Sequence, residues 1–399
     1  MEQLAERERI LSVLRGERPD RVPWATRLEI WANSKRAPEV EAEFTGVPLS
    51  DLHCRLGIGR QAYFHLAKYR LAGVRLNVEF NGREIGRLDE PELKFPIPVD
   101  LVPADRTGRT TLTFTTPVGT VSLAYDRTEQ MIDANVAPYL VKHIIENEND
   151  YDVVFWMLEH AELVDQFEGY ARLDREIGET GLAVGFMGRT PFQHAVLDYL
   201  GEEFCFFEMY DHPARVERLL ELLTDVSRRY VKLALGSNAQ LLEFAENYDG
   251  MITNPVLFRR YCMPHLKWAS ETIHAHGRSL ACHIDGDVSN LLAEISESGI
   301  DVVESFSPWP LTSLRLRDAL EAWPQAPILW GVLPSPIFES GYSELEFDRF
   351  VGDVVAAAAD RPMILGIADQ AVQPTLPSRI RRVRELISGR THQHKGALK

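Results

Sequence analysis

From about residue 180 to the end of the chain, short apolar runs alternate with amphipathic helical segments. "LAVGFMG" (182–188) precedes a helix around 191–200, and "AQLLEFAE" (239–246) precedes a long one at 255–276. "SLACHID" (279–285) leads into 288–298, "DVVESF" (301–306) into 313–321, "PILWGVLP" (327–334) into 344–359, and "MILGIAD" (363–369) into 377–388. Strands spaced by helices in this rhythm pair in parallel, because parallel neighbours require crossover connections. With an early strand at "RVPWAT" (21–26) and an eighth placed at "DYDVVFWML" (150–158), a stretch a helix fits equally well, the expectation is an α/β fold. It takes the form of a (β/α)8 TIM-type barrel in a single domain over residues 1–390.

Residues 70–126 break the rhythm. "VRLNVEFNGREIGRL" and "TTLTFTTPVGTVSLAYD" alternate apolar with polar residues around Asn-Gly and Pro-Val-Gly turn signals. This is the pattern of antiparallel hairpins, read as an insertion near one barrel mouth. The tail "THQHKGALK" (391–399) reads as disordered.

A chain of 399 residues buries a core without disulfides, and its four cysteines form no CxxC pair, so a reducing cytoplasm is the expected compartment. Neither a secretion signal nor a membrane span is read in it. A net charge of −16 opposes nucleic-acid phosphates and anionic lipid, leaving a small molecule or another protein as the expected partner.

The chemistry concentrates in "CHIDGD" (282–287). Strand alternation sets Leu280, Cys282 and Ile284 toward the helices, and Ala281, His283 and Asp285 toward the barrel axis. Neighbouring strands also end in acids: Glu243 and Glu246, with Asn247 after them, in "LLEFAEN", then Glu304, then Asp369. An imidazole and carboxylates gathered at one barrel end can hold a divalent ion, Zn²⁺ first, with His283, Asp285 and Glu304 as ligands and Glu246 beside them. The plainer alternative is a buried His283–Asp285 hydrogen-bonded pair. "GFMGRTPF" offers Arg189 as a grip for a carboxylate or phosphate, or as a rim salt bridge, and "ENYDG" offers Tyr248 as a substrate contact. "GIGRQA" (57–62) follows no expected strand and is set aside as a dinucleotide site.

"RERILSVLRGERPDRVPW" resembles the amino terminus of the uroporphyrinogen decarboxylase superfamily, which includes cobalamin-dependent methyltransferases. "TPVGTVS", "YLVKHIIENENDYDVV" and "EFAENYDGMITNPVLFRRYCMPHLK" are similar to segments of that superfamily, as are "LWGVLPSPIFESGYSELEFDRFV" and "ILGIADQAVQPTLPSRIRRVREL". "CHIDGD" stands where the family has His-x-Cys-Gly. The resemblance implies the same barrel, and it allows a homodimer.

Decarboxylases of the family carry a Met-Arg-Gln-Ala-Gly-Arg stretch for their substrate's carboxylates. The corresponding "PWATRLEIWANSKR" keeps Arg27, the residue carried over for substrate binding, and Asp369 joins it. The thiol-activating methyltransferases hold zinc with His-x-Cys and a later Cys; here Asp285 replaces the first cysteine and Ala368 or Asp369 stands near the second. An oxygen-rich site suits a harder ligand such as a methoxyl, phenol or water oxygen. The resemblance thus implies an enzyme, a metal-dependent methyltransferase that moves a methyl group between a small substrate and a corrinoid carried by a partner protein. The alternatives are a decarboxylase, or a catalytically silent ligand-binding barrel.

Overall fold

The computed structural model describes residues 4–34, 44, 46–94, 98–359 and 361–396, with side chains up to 389 in the final helix. Eight parallel strands form the central sheet: β1 (Ala25–Thr26), β2 (Gly59–His65), β3 (Gly181–Phe186), β4 (Leu241–Ala245), β5 (Ser279–His283), β6 (Val302–Phe306), β7 (Ile328–Pro334) and β8 (Met363–Ala368). Neighbours in sequence are neighbours in space, and the Trp24–Leu365 bridge returns β8 to β1, so the sheet closes into a (β/α)8 barrel.

Most of these strands are buried on both faces, as β3, β6, β7 and β8 are along their whole length, which is why β3, β7 and β8 read as unbroken apolar runs, while β6 carries Glu304 and Ser305. Ala25, Leu182, Val184, Leu241, Ala281, Val302, Ile328, Trp330 and Ile364 fill the interior. The helix Glu6–Leu14 closes the amino end of the barrel from below with Ile10 and Val13. Leu280, Cys282 and Ile284 belong instead to the outer core beneath the helices, so β5 alternates in the expected sense.

One strand was misplaced. Residues 150–158 lie in the helix Glu148–Glu159, opened by a capping box between Asn147 and Asp150. Its buried Tyr151, Val154 and Leu158 recur at helical spacing, and that period prevails over local β-propensity. The missing strand is β2, which starts within the "GIGRQA" motif that had been set aside.

The insertion leaves the barrel after β2 and therefore stands at its carboxyl end. Its five-stranded antiparallel sheet includes the hairpin Arg75–Phe80/Arg83–Asp89, turned by Asn81 and Gly82 with φ of 50° and 75°, the doubly left-handed geometry of a type I′ turn. A second, three-stranded sheet pairs Ala67–Leu71 with Ala161–Asp165, so the insertion's boundaries are wider than the hairpin signals alone suggested. The closing helix Pro377–Gly396 runs into the tail expected to be disordered, and 397–399 lie outside the described residues. Among the described residues no helix is long and apolar enough to cross a membrane.

Candidate active site

One layer above the apolar interior, at the carboxyl end of the barrel, the inward positions turn polar. By strand alternation these are Arg27 beyond β1, Gln61 and Tyr63 on β2, Glu243 on β4, His283 on β5 and Glu304 on β6. Glu243 and His283 follow Leu241 and Ala281 by two residues, and Glu304 follows Val302, so each shares the face of its interior neighbour.

His283 is the hub. Its Nδ1 lies 2.6 Å from Glu304 Oε2, while Gln61 Nε2 donates to Glu304 Oε1 at 2.8 Å. Its Nε2 faces Asp369 Oδ1 at 3.4 Å and Asp285 Oδ2 at 3.7 Å. The 3.7 Å gap is too long for the hydrogen-bonded His283–Asp285 pair of the plainer reading. Asp285 Oδ1 accepts from Asn247 Nδ2 at 2.8 Å. Asp369 Oδ1 accepts from Arg27 Nη2 at 2.8 Å and from Ser305 Oγ at 2.9 Å. The Arg27 guanidinium also lies over the Tyr63 ring, 4.4 Å from its centroid.

Local backbone geometry makes these approaches work. Gly286 lies so close to the Tyr248 carbonyl that a Cβ would come within 2.2 Å of that oxygen, so only glycine lets the β5 loop press down there. Asn247 and Ser305 take left-handed φ angles of 48° and 60°, turning the chain at the ends of β4 and β6.

Burial alone would push the His283 imidazole toward neutrality, but the Glu304 charge, with Asp285 and Asp369, holds its pKa well above the ordinary histidine range. Burial likewise opposes ionisation of Glu304, and His283, Arg27 and Gln61 overcome it and hold its pKa low. Glu243 goes the other way. It is fully buried, neither of its oxygens has a hydrogen-bond partner among the described residues, and burial together with the Glu304 charge raises its pKa far above the carboxylate range. Burial opposes a charge on Asp285 too, but His283 and Asn247 bring its pKa below the usual value.

These positions redistribute the expected roles. Glu246 is aimed away from the hub: its carboxylate accepts from Thr190 N at 2.7 Å and Thr190 Oγ1 at 2.6 Å, fastening the start of the helix after β3. It follows the last β4 residue, where strand alternation no longer applies. Tyr248 is fully buried against Phe258 and lines no mouth. Arg189 is engaged by Asp198, Asn247 and the Ala245 carbonyl, the rim alternative. Asp287, the last acid of "CHIDGD", accepts from Ser289 and Ser313.

Among the described residues, two groups bring ligand atoms within 4.8 Å of one another: His283 with Asp285 and Asp369, and His283 with Glu243 and Glu304. Donors sharing one divalent ion at ~2.1 Å stand roughly 3.4 Å apart in a tetrahedral shell. The Nε2 separations of 3.4 and 3.7 Å match that span. Glu304, bonded to Nδ1, is placed to orient the ring from behind, as carboxylates do for metal-bound histidines.

The family model for uroporphyrinogen decarboxylase matches residues 127–317, a span that includes β3 to β6, His283, Asp285 and Glu304. That match takes in just under half of the chain. Uroporphyrinogen decarboxylase from Thermus thermophilus is 30% identical over 95 residues, covering 24% of this chain and 27% of that protein. The one from Myxococcus xanthus is 25% identical over 191 residues, covering 48% and 51%. These matches thus span between about a quarter and half the length of the curated relatives. In overall fold the chain is similar to a methyltransferase from Methanosarcina mazei, with a TM-score of 0.53 and 14% identity over 97% of this chain and 99% of that one.

Sequence reading missed Gln61, Tyr63 and Ser305, and passed over Glu243 in favour of Glu246. Glu243 was within reach, since it follows Leu241 by two residues on one strand face. Gln61 and Tyr63 were hidden because β2 had not been recognised.

Proposed function

We propose that this chain is a member of the uroporphyrinogen decarboxylase superfamily and a metal-dependent methyltransferase, moving a methyl group between a small substrate's heteroatom and a corrinoid protein docked at the barrel mouth. The observation that carries this reading is the hub itself: an imidazole with one nitrogen held by a carboxylate and the other facing two more. Counting Glu304, Asp285 and Asp369 as carboxylates against Arg27 and an imidazolium leaves one negative charge. A divalent ion with a neutral imidazole brings the cluster to zero, so the donor set fits such an ion. His283, Asp285 and Asp369 would hold it, and Asp369 takes the place first given to Glu304. Bound there, a zinc-like ion would supply Lewis acidity toward an oxygen or similar heteroatom, and the partner's corrinoid would supply the methyl-carrying cobalt.

The protein's own groups prepare that chemistry. Glu304 keeps a proton on His283 Nδ1, which leaves Nε2 free to act as a ligand. Ser305 orients Asp369. The Glu243 carboxyl, buried and protonated, adds no charge beneath His283 and Glu304, and the Tyr63 ring supplies an apolar wall. Decarboxylation of a substrate with many carboxylates is less well served, because Arg27 and Arg189 are both already engaged by acids.

The test uses zinc-loaded, dialysed protein, elemental analysis and methyl transfer from methylcobalamin. Wild type should retain near-stoichiometric metal, and His283→Ala should lose both metal and transfer. A His283→Ala protein that keeps its metal, or a metal-free wild type that turns over fully, would end the proposal. Chelator-insensitive release of carbon dioxide from a polycarboxylate would favour the decarboxylase instead.

A further inference from the structure

Behind Asp285 runs a chain of hydrogen bonds that the proposed chemistry has not used. Asn247 Nδ2 donates to Asp285 Oδ1 at 2.8 Å, and Asn247 Oδ1 accepts from Arg189 Nη1 at 2.6 Å. The same Arg189 nitrogen reaches the Ala245 carbonyl at 2.6 Å, while Arg189 Nε stands 3.3 Å from Asp198 Oδ2. Asp198 Oδ2 in turn meets His194 Nδ1 at 2.7 Å, within the helical turn His194–Leu200 after β3.

The amide can sit only one way round. Arg189 carries donors and no acceptor, so the atom facing it must be the Asn247 oxygen. The amide nitrogen is thereby turned toward Asp285, whose carboxylate only accepts. Asn247 itself is held at φ 48°, a left-handed conformation that asparagine tolerates better than most side chains. Backbone and guanidinium together aim one N–H at one carboxylate oxygen and leave Oδ2 for the hub.

We infer that Asn247, braced by Arg189 and Asp198, is a positioning residue that presents Asp285 to the metal proposed at His283. This rests on the metal reading above. It assigns Arg189, first expected to grip a ligand, to the support of a ligand-holding side chain from the adjacent strand end. The wider consequence is mechanical coupling. The turn His194–Leu200 and the strand end Ala245–Asn247 share one guanidinium, so displacing the turn displaces Asp285.

The experiment measures Zn²⁺ affinity by competition with a chromogenic chelator, and the visible spectrum of the Co²⁺-substituted protein. Asn247→Gly keeps the left-handed backbone and removes the amide. Arg189→Lys keeps a charge beside Asp198 but lacks the planar fork that serves three acceptors at once. Asn247→Gly should weaken Zn²⁺ binding by about 10- to 100-fold, the range typical for loss of an outer partner of a metal ligand. It should also alter the Co²⁺ bands, with circular dichroism unchanged, and Arg189→Lys should move both readouts the same way by less. If Asn247→Gly does not fold, Arg189→Lys decides alone. Wild-type affinity and spectrum in the folded variants would overturn the positioning role while leaving the metal site standing. A wild type that binds no Zn²⁺ would remove both.

Discussion

The environment of His283 turns on charge and on which atom donates. Glu304→Gln looks conservative, yet Gln61 Nε2 demands an acceptor at Oε1, so the new amide would turn its NH₂ group toward His283 Nδ1. The ring would then have to change tautomer and give up Nε2 as its lone-pair nitrogen. Zinc affinity should fall about 10- to 100-fold in Glu304→Gln, and unchanged binding in a chelator titration would refute the orienting role. Glu243 makes a separate prediction through its raised pKa. A carboxyl whose folded pKa exceeds its unfolded value contributes stability that is fully present below about pH 4.5, and that contribution is lost as pH rises through the folded value. Glu243→Gln mimics the protonated form, so the chelator-treated variant should show a higher thermal midpoint than wild type above neutral pH. A lower midpoint would show that the carboxyl is ionised in a stabilising contact.

Among the elements, strand ends and their loops carry the specificity. The β5 loop rests on the Tyr248 carbonyl through Gly286, and an alanine there meets backbone that cannot move aside cheaply. Gly286→Ala should destabilise the protein by about 1–3 kcal/mol in urea unfolding, the usual range for overpacking, and should weaken metal retention by shifting Asp285. Full stability with full metal would show the loop to be more compliant than its contacts suggest. The helix after β4 begins at Asn254, whose side chain accepts from the Val256 and Leu257 amides. Asn254→Ala should cost about 1 kcal/mol, with no effect on metal content. This cap depends on the Asn-Pro pair alone, a local start signal that needs no tertiary partner. The spacing of β4 to β8 was legible for the same kind of reason, because each apolar run is long enough to be buried on both faces. β2 was not, because "GRQAYFH" mixes polar and aromatic residues, its inward side chains being part of the site.

The whole molecule depends on neutral histidines held in dry surroundings. Burial, helped by the Arg60 charge, lowers the His53 pKa to about 4, and neither ring nitrogen has a side-chain or backbone partner in hydrogen-bonding geometry among the described residues. Burial likewise brings His65 to about 4 and His265 to about 3. A histidine whose folded pKa is depressed contributes fully above the unfolded value near 6.5, and that contribution is lost as pH falls from there toward 4. The shifts at His53 and His65 each correspond to roughly 3 kcal/mol and that at His265 to roughly 5, so stability should drop steeply as pH falls from 6.5 through 4. His53→Leu should flatten part of that decline in acid titrations followed by circular dichroism. A wild-type stability that is level across this window would contradict the burial argument.

Periodicity in the sequence was enough to determine the barrel and the inward direction of His283, because both follow from local rules of strand alternation and crossover. It also narrowed the chemistry to imidazole and carboxylates at the carboxyl ends of strands. Only the tertiary structure decided which acids meet that imidazole. Asp369 and Glu304 come from strands distant in sequence, while Glu246, three residues from Glu243, turns away to fasten Thr190. A one-residue change of phase at a strand end sends a side chain to another part of the molecule, and that phase is set by loop geometry that only the packed neighbours reveal.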